Sequence, residues 1–79
     1  MANINMKKCK NIFVGVFNLN REVFVERTYA ASERQAWFVI CRRLAKKTGV
    51  HSSVVMNHFD GSKDNYKIQL EVEFAEVTQ

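Results

Sequence analysis

The stretch from Ser32 to Gly49 constrains the fold more than any other part of the chain, because it carries both the start and the stop of a helix. Ser32 is followed three residues later by Gln35, the capping-box spacing in which each side chain satisfies a backbone N–H at the helix start. Glu33 suits the positive N-terminal end of the helix dipole, and Lys46 and Lys47 suit the negative end. Gly49 is placed to take the left-handed conformation that closes a helix. At about 100° per residue, Ala36, Trp37, Ile40, Cys41 and Leu44 share one face, which predicts the core stripe.

The flanking segments read as strands. Ile12 to Phe17 is apolar on both parities, and Glu22 to Tyr29 is rich in β-branched and aromatic residues. Asn18 to Arg21 has turn composition. Pairing Phe17 with Glu22 sets Val16 against Val23 and Val14 against Val25 on one side, with Gly15 against Phe24 and Phe13 against Glu26 on the other. An aromatic opposite a strand glycine is a known compensation. After the helix, Ser53 to Phe59 reads as a third strand, and Asp60-Gly61 opens a polar turn running to about Asn65. Tyr66 to Phe74 alternates cleanly, with Tyr66, Ile68, Leu70, Val72 and Phe74 on one side and Lys67, Gln69, Glu71 and Glu73 on the other. The expectation is a single α+β domain over residues 1–79, β-β-α-β-β, with one helix packed on one face of a four-stranded antiparallel sheet and the first and third strands central.

Length then limits function. A chain of 79 residues buries a modest core. A small-molecule site needs a cleft of about 300 Å³ or more, and one helix on one sheet has little thickness in which to form it. No apolar run approaches the ~20 residues of a membrane span. Lys7, Lys8 and Lys10 precede an apolar stretch, but that stretch is too short for a secretory signal, so a cytoplasmic location is expected. Cys9 and Cys41 do not make a disulfide framework. With His51 and His58 they complete a four-ligand zinc set only on paper, since structural sites bring their ligands in close sequence pairs. No metal or other cofactor is expected. The chain holds no phosphate loop, no nucleophile elbow and no zinc-protease motif. The strand carboxylates Glu22, Glu26, Glu71 and Glu73 read as solvated rather than as acid–base pairs. A non-enzymatic protein is the expectation.

Charge points to partners. The net charge of +4 is uneven, with Arg42, Arg43, Lys46 and Lys47 crowding the helix end and Glu71, Glu73 and Glu76 making the C-terminal segment acidic. Such asymmetry suits a polyanion or an acidic protein surface. Two contact faces follow. On the outer helix face, Phe38 sits beside Arg42, Arg43, Lys46 and Lys47, where an aromatic supplies area and cations supply attraction. The competing reading leaves those charges merely solvated. The other face is the uncovered side of the sheet, to which the register assigns Phe13, Phe17 and Phe24. A homodimer joined sheet to sheet is its simplest occupant. Base stacking on sheet aromatics is the alternative, but Glu22, Glu26, Glu71 and Glu73 would repel phosphates there. A protein or nucleoprotein partner is therefore expected on the sheet, and any nucleic acid on the helix or the N-terminal lysines.

The run Thr28-Tyr29-Ala30-Ala31-Ser32-Glu33-Arg34-Gln35-Ala36, followed by the helix, Gly49 and Val54-Val55-Met56, resembles a unit of small phage-encoded anti-CRISPR proteins, in particular compact β-β-α-β-β inhibitors of type I Cascade complexes. An archaeal ribosomal large-subunit protein family shows a similar strand–helix–strand pattern. The first resemblance implies a phage or mobile-element inhibitor that occupies a host CRISPR–Cas nucleoprotein complex and blocks nucleic-acid targeting. The net positive charge departs from inhibitors that mimic DNA with acidic surfaces. The second implies a basic RNA- or DNA-binding accessory domain.

Overall fold

The computed structural model describes residues 11–72. Lys7, Lys8, Cys9, Lys10, Glu73, Phe74 and Glu76 lie outside the described residues. The elements run β1 (Asn11–Leu19), β2 (Glu22–Ala30), α1 (Glu33–Thr48), α2 (Ser52–His58) and β3 (Tyr66–Val72). Among the described residues the sheet has three strands in the order β2-β1-β3, with β1 antiparallel to both neighbours. The expected β-β-α-β-β order with four strands and one helix is therefore corrected to β-β-α-α-β, and only the first strand is central.

The error lies at Ser53–Phe59. Its paired valines favour a strand, but two-fold alternation would send Asn57 inward with Val55 and Phe59. Helical spacing instead buries Val55 and Phe59 one turn apart, with Met56 half-buried beside them and Asn57 exposed. The start is fixed by His51, whose Nδ1 accepts from the Ser53 N–H at 3.1 Å. The end is fixed from outside: the Trp37 indole donates to the Phe59 carbonyl at 2.9 Å, and Asn65 Nδ2 donates to the His58 carbonyl at 2.8 Å. A helix of seven residues is marginal alone. These tertiary bonds and the burial of Val55 stabilise it.

Helix α1 forms as its sequence predicts. Ser32 Oγ accepts from the Gln35 N–H at 3.2 Å, and Gln35 Oε1 reaches back to the Ala31 N–H at 2.7 Å. Gly49 closes the helix at φ 79°, its N–H bonded to the Ala45 carbonyl at 2.9 Å. Ala36, Ile40, Cys41 and Leu44 are buried and Trp37 packs against them.

The first hairpin is tighter than expected. β1 continues to Leu19, and the turn is Asn20-Arg21, with φ of 52° and 69°. Both central residues are left-handed, the geometry of the two-residue turns that match strand twist. The register thereby moves two residues from the expected one: Phe17 faces Phe24, Gly15 faces Glu26, and Val16 faces Val25. A two-residue shift keeps each side chain on its face, so the partition of residues survives. The assignment of faces does not. Phe13 and Phe17 are buried under the helices and Phe24 packs half-buried beside them, so none of the three lies on the open face. Phe17 stacks on Tyr66 at 5.1 Å between ring centroids and meets Phe59 edge-on at 4.8 Å. The open face instead exposes Val16, Val23, Val25 and Tyr29, crossed by an Arg27–Glu71 ion pair at 2.8 Å.

Gly15 explains the choice of face. A Cβ there would sit 2.8 Å from Ile40 Cδ1 and 2.7 Å from Phe17 Cε1. The missing side chain lets α1 settle against the central strand, and the phenylalanines fill the space on either side. Gly15→Ala is expected to destabilise the fold by about 1–3 kcal/mol through overpacking, read as a lower urea midpoint with an unchanged m-value.

Candidate docking face on the long helix

Four of the five cations of α1 fall in two rows, each spaced one turn apart, and the rows serve different ends. Arg43 and Lys47 lean toward β2. Glu26 is buried on the helix side of the sheet, and the Lys47 ammonium pairs with its Oε2 while Arg43 Nη1 lies 3.7 Å from its Oε1. Arg43 also donates to the Arg27 carbonyl at 2.7 Å and to Thr28 Oγ1 at 3.3 Å. These two cations join the helix to the sheet. They are separated from the site expected of them because Glu26, read as solvated, is a buried carboxylate that needs them.

Arg42 and Lys46 project outward. The Arg42 guanidinium sits 5.8 Å from the centroid of the Phe38 ring, and Phe38 is 46% exposed. With Val39, Arg43, Ala45 and Ser52 they line a shallow groove of about 550 Å³. Of the eight residues expected to bind a partner, the structure thus brings Phe38, Arg42 and Lys46 together, turns Arg43 and Lys47 toward Glu26, and places Phe13, Phe17 and Phe24 in or against the core. Sequence reasoning missed Val16, Val23, Val25 and Tyr29 as the apolar surface of the sheet. Their regular alternation was visible, but the parity of the phenylalanines was equally apolar.

The polar groups around α2 and the turn after it bond locally, except Asn65 Oδ1, which is buried without a hydrogen-bond partner. Ser53 Oγ lies 2.9 Å from His51 Nδ1, a nucleophile–base distance, but that nitrogen also accepts the Ser53 N–H as the cap of α2, and both residues are exposed. Asp60 accepts from the Ser62 N–H and hydroxyl, which hold its carboxyl below the ordinary range. No group of three or more His, Cys, Asp or Glu side chains suited to a metal occurs among the described residues. No described helix is long and apolar enough to cross a membrane. Cys41 is fully buried, and burial pushes its thiol up to about 12.

Set against known proteins, the chain matches no family model, no curated sequence and no solved structure.

Three outcomes follow from these environments. Glu26→Gln, which leaves half-exposed cations free to hydrate, is expected to cost about 1 kcal/mol. The Arg43→Ala/Lys47→Ala double variant strands a buried carboxylate and is expected to cost roughly 2–3 kcal/mol, below a fully buried pair because the cations reach water. Equilibrium denaturation at neutral pH compares them. The raised Cys41 pKa favours the protonated thiol in the folded state. Its contribution is therefore fully present below the ordinary thiol pKa and is lost as pH rises toward about 12. Cys41→Ala is expected to flatten the decline of stability over that alkaline range, measured by denaturation at stepped pH.

Proposed function

We propose that the chain is a non-enzymatic binding protein that docks onto a nucleoprotein complex through the outer face of α1, acting as an inhibitor of the anti-CRISPR kind. The observation that carries the docking surface is the half-exposed Phe38 with Arg42 over its ring and Lys46 one turn further on. An exposed aromatic beside a cation offers apolar area, and the adjacent charge attracts an anionic rim. The cations engaged with Glu26 add to the local field, and Arg43 also lines the groove. The nucleoprotein target comes from the sequence resemblance over Thr28–Ala36. Its architectural half lapses with the replacement of the expected third strand by α2.

A second reading, direct RNA or DNA binding, is favoured by the same exposed pair of Arg42 and Lys46. Salt separates the two. Nucleic-acid affinity falls with salt in proportion to the phosphates neutralised, whereas a docked protein surface with an apolar anchor depends less on it. The test is surface-immobilised full-length chain exposed to a purified type I Cascade complex, to free guide RNA and to duplex DNA, each at low and physiological salt. The expected result is salt-tolerant binding to the complex, weakened roughly 100-fold or more by Phe38→Ala with Arg42→Glu, and weak salt-sensitive binding to free nucleic acid. Binding to naked RNA or DNA as tight as to the complex would favour the second reading. Absence of binding to the complex, or binding that ignores both substitutions, would overturn the proposal.

A further inference from the structure

The two edges of the sheet are finished differently. Consecutive residues of an antiparallel strand aim their backbone groups alternately to either side. On the β2 edge the outward carbonyl of Arg27 is taken by Arg43, and that of Tyr29 accepts from Thr28 Oγ1 at 3.2 Å. Side chains thus guard the Ala30 end of that edge, while among the described residues no hydrogen bond reaches the outward groups of Val23 and Val25. On the other side, Asn18 N–H donates to the Asn65 carbonyl at 2.9 Å, and Lys67 and Gln69 stand opposite Val16 and Val14. Lys67 and Gln69 thus aim at β1, and Tyr66, Ile68 and Leu70 aim their backbone groups away from it. Among the described residues no hydrogen bond reaches the outward groups of Ile68 or Leu70.

The side chains along this edge are unfinished too. Leu70 lies on the helix side of the sheet yet is 47% exposed. Beside the edge runs a cleft of about 600 Å³, floored by Trp37, Met56, Phe59, Tyr66 and Ile68 and rimmed by Glu33, Arg34 and Asp60. A strand edge with no partner among the described residues, beside a cleft with an apolar floor, is the arrangement that accepts an added strand.

The strand itself indicates which. Read about Gln69, the order Lys67-Ile68-Gln69-Leu70-Glu71 is symmetric in shape and opposite in charge. We infer that β3 pairs antiparallel with β3 of a second copy of this chain, about a two-fold axis at Gln69. Ile68 then faces Leu70 of the second copy in hydrogen-bonded pairs, using the outward backbone groups of both. Lys67 faces Glu71 of the second copy; Glu71 is the residue left over where β3 shifts register against β1, between the Phe13–Leu70 and Ile12–Val72 pairs. Glu71 already lies on the same face as Arg27, the face to which Lys67 belongs. A slip of two residues toward Asn65 removes both ion pairs, whereas the opposite slip would set Lys67 against Glu73, so charge narrows the register to these two. The product is one continuous sheet with both copies' helices on the same side, closing the two apolar clefts toward each other.

Sedimentation equilibrium of the full chain, from micromolar to millimolar concentration, tests this. The wild-type chain is expected to dimerise. Lys67→Glu and Glu71→Lys each place like charges opposite at two symmetric positions, and each is expected to weaken the dimer roughly tenfold or more. An equal mixture of the two variants restores both attractive pairs and is expected to associate as the wild type does. Glu71→Lys also releases Arg27, so circular dichroism monitors its fold, while Lys67→Glu alters an exposed side chain with no described partner. A chain that stays monomeric throughout, or a dimer indifferent to Lys67→Glu, overturns the inference. So does a dimer abolished by Val25→Lys on the open sheet face and untouched by Lys67→Glu.

Discussion

The fold depends on one close approach, that of Ile40 to the bare backbone of Gly15. Because the central strand has no side chain at that point, the helix sits low, and everything large must stand beside the contact rather than under it. Phe13 and Phe17 flank the glycine on the same strand face, and Tyr66 stacks against Phe17 from the neighbouring strand. Phe59 closes the cluster edge-on, which requires its segment to come down onto the core as a helix end and not as a fourth strand. The glycine therefore decides which face of the sheet is covered, where α1 lies, and what room remains for α2.

Helical spacing then divides the basic surface. Residues four apart stack along a helix, so Arg43 with Lys47 and Arg42 with Lys46 form separate rows although they are adjacent in sequence. One row is committed to Glu26 beneath the helix, and the other faces out beside Phe38. A charge cluster that looks uniform in sequence thus contains cations turned to the sheet and cations turned outward in equal number.

The helix was legible from the sequence to its caps because its signals are local: Ser32 with Gln35, then Gly49. The partition of the hairpin residues between faces was also legible, since alternation survives any even shift in register. Which face met the helix was not, because Phe13, Gly15 and Phe17 compete with Ile12, Val14 and Val16 on equal hydrophobic terms. Glu26 tipped the reading toward solvent, and only the distant Arg43 and Lys47 make its burial tolerable. Val54 and Val55 carried a strand preference that tertiary bonds from Trp37 and Asn65 overrule. On the outer helix face, Phe38 and Arg42 were legible as a helical pair, whereas the fate of Arg43 and Lys47 depended on contacts far along the chain.

The strand order has a consequence for synthesis. The central strand β1 is made first among the described elements, and its second neighbour, β3, is made last. Until Tyr66 emerges to lie against Phe17, β1 has one hydrogen-bonded flank and apolar side chains on both surfaces. Such a hairpin is a hazard in the nascent chain, where exposed strands meet other strands before their own. The helix that follows it directly covers one surface early and brings Arg43 to the β2 edge with it. The emerging polypeptide is thereby shielded on one side and along one flank well before the sheet can be completed.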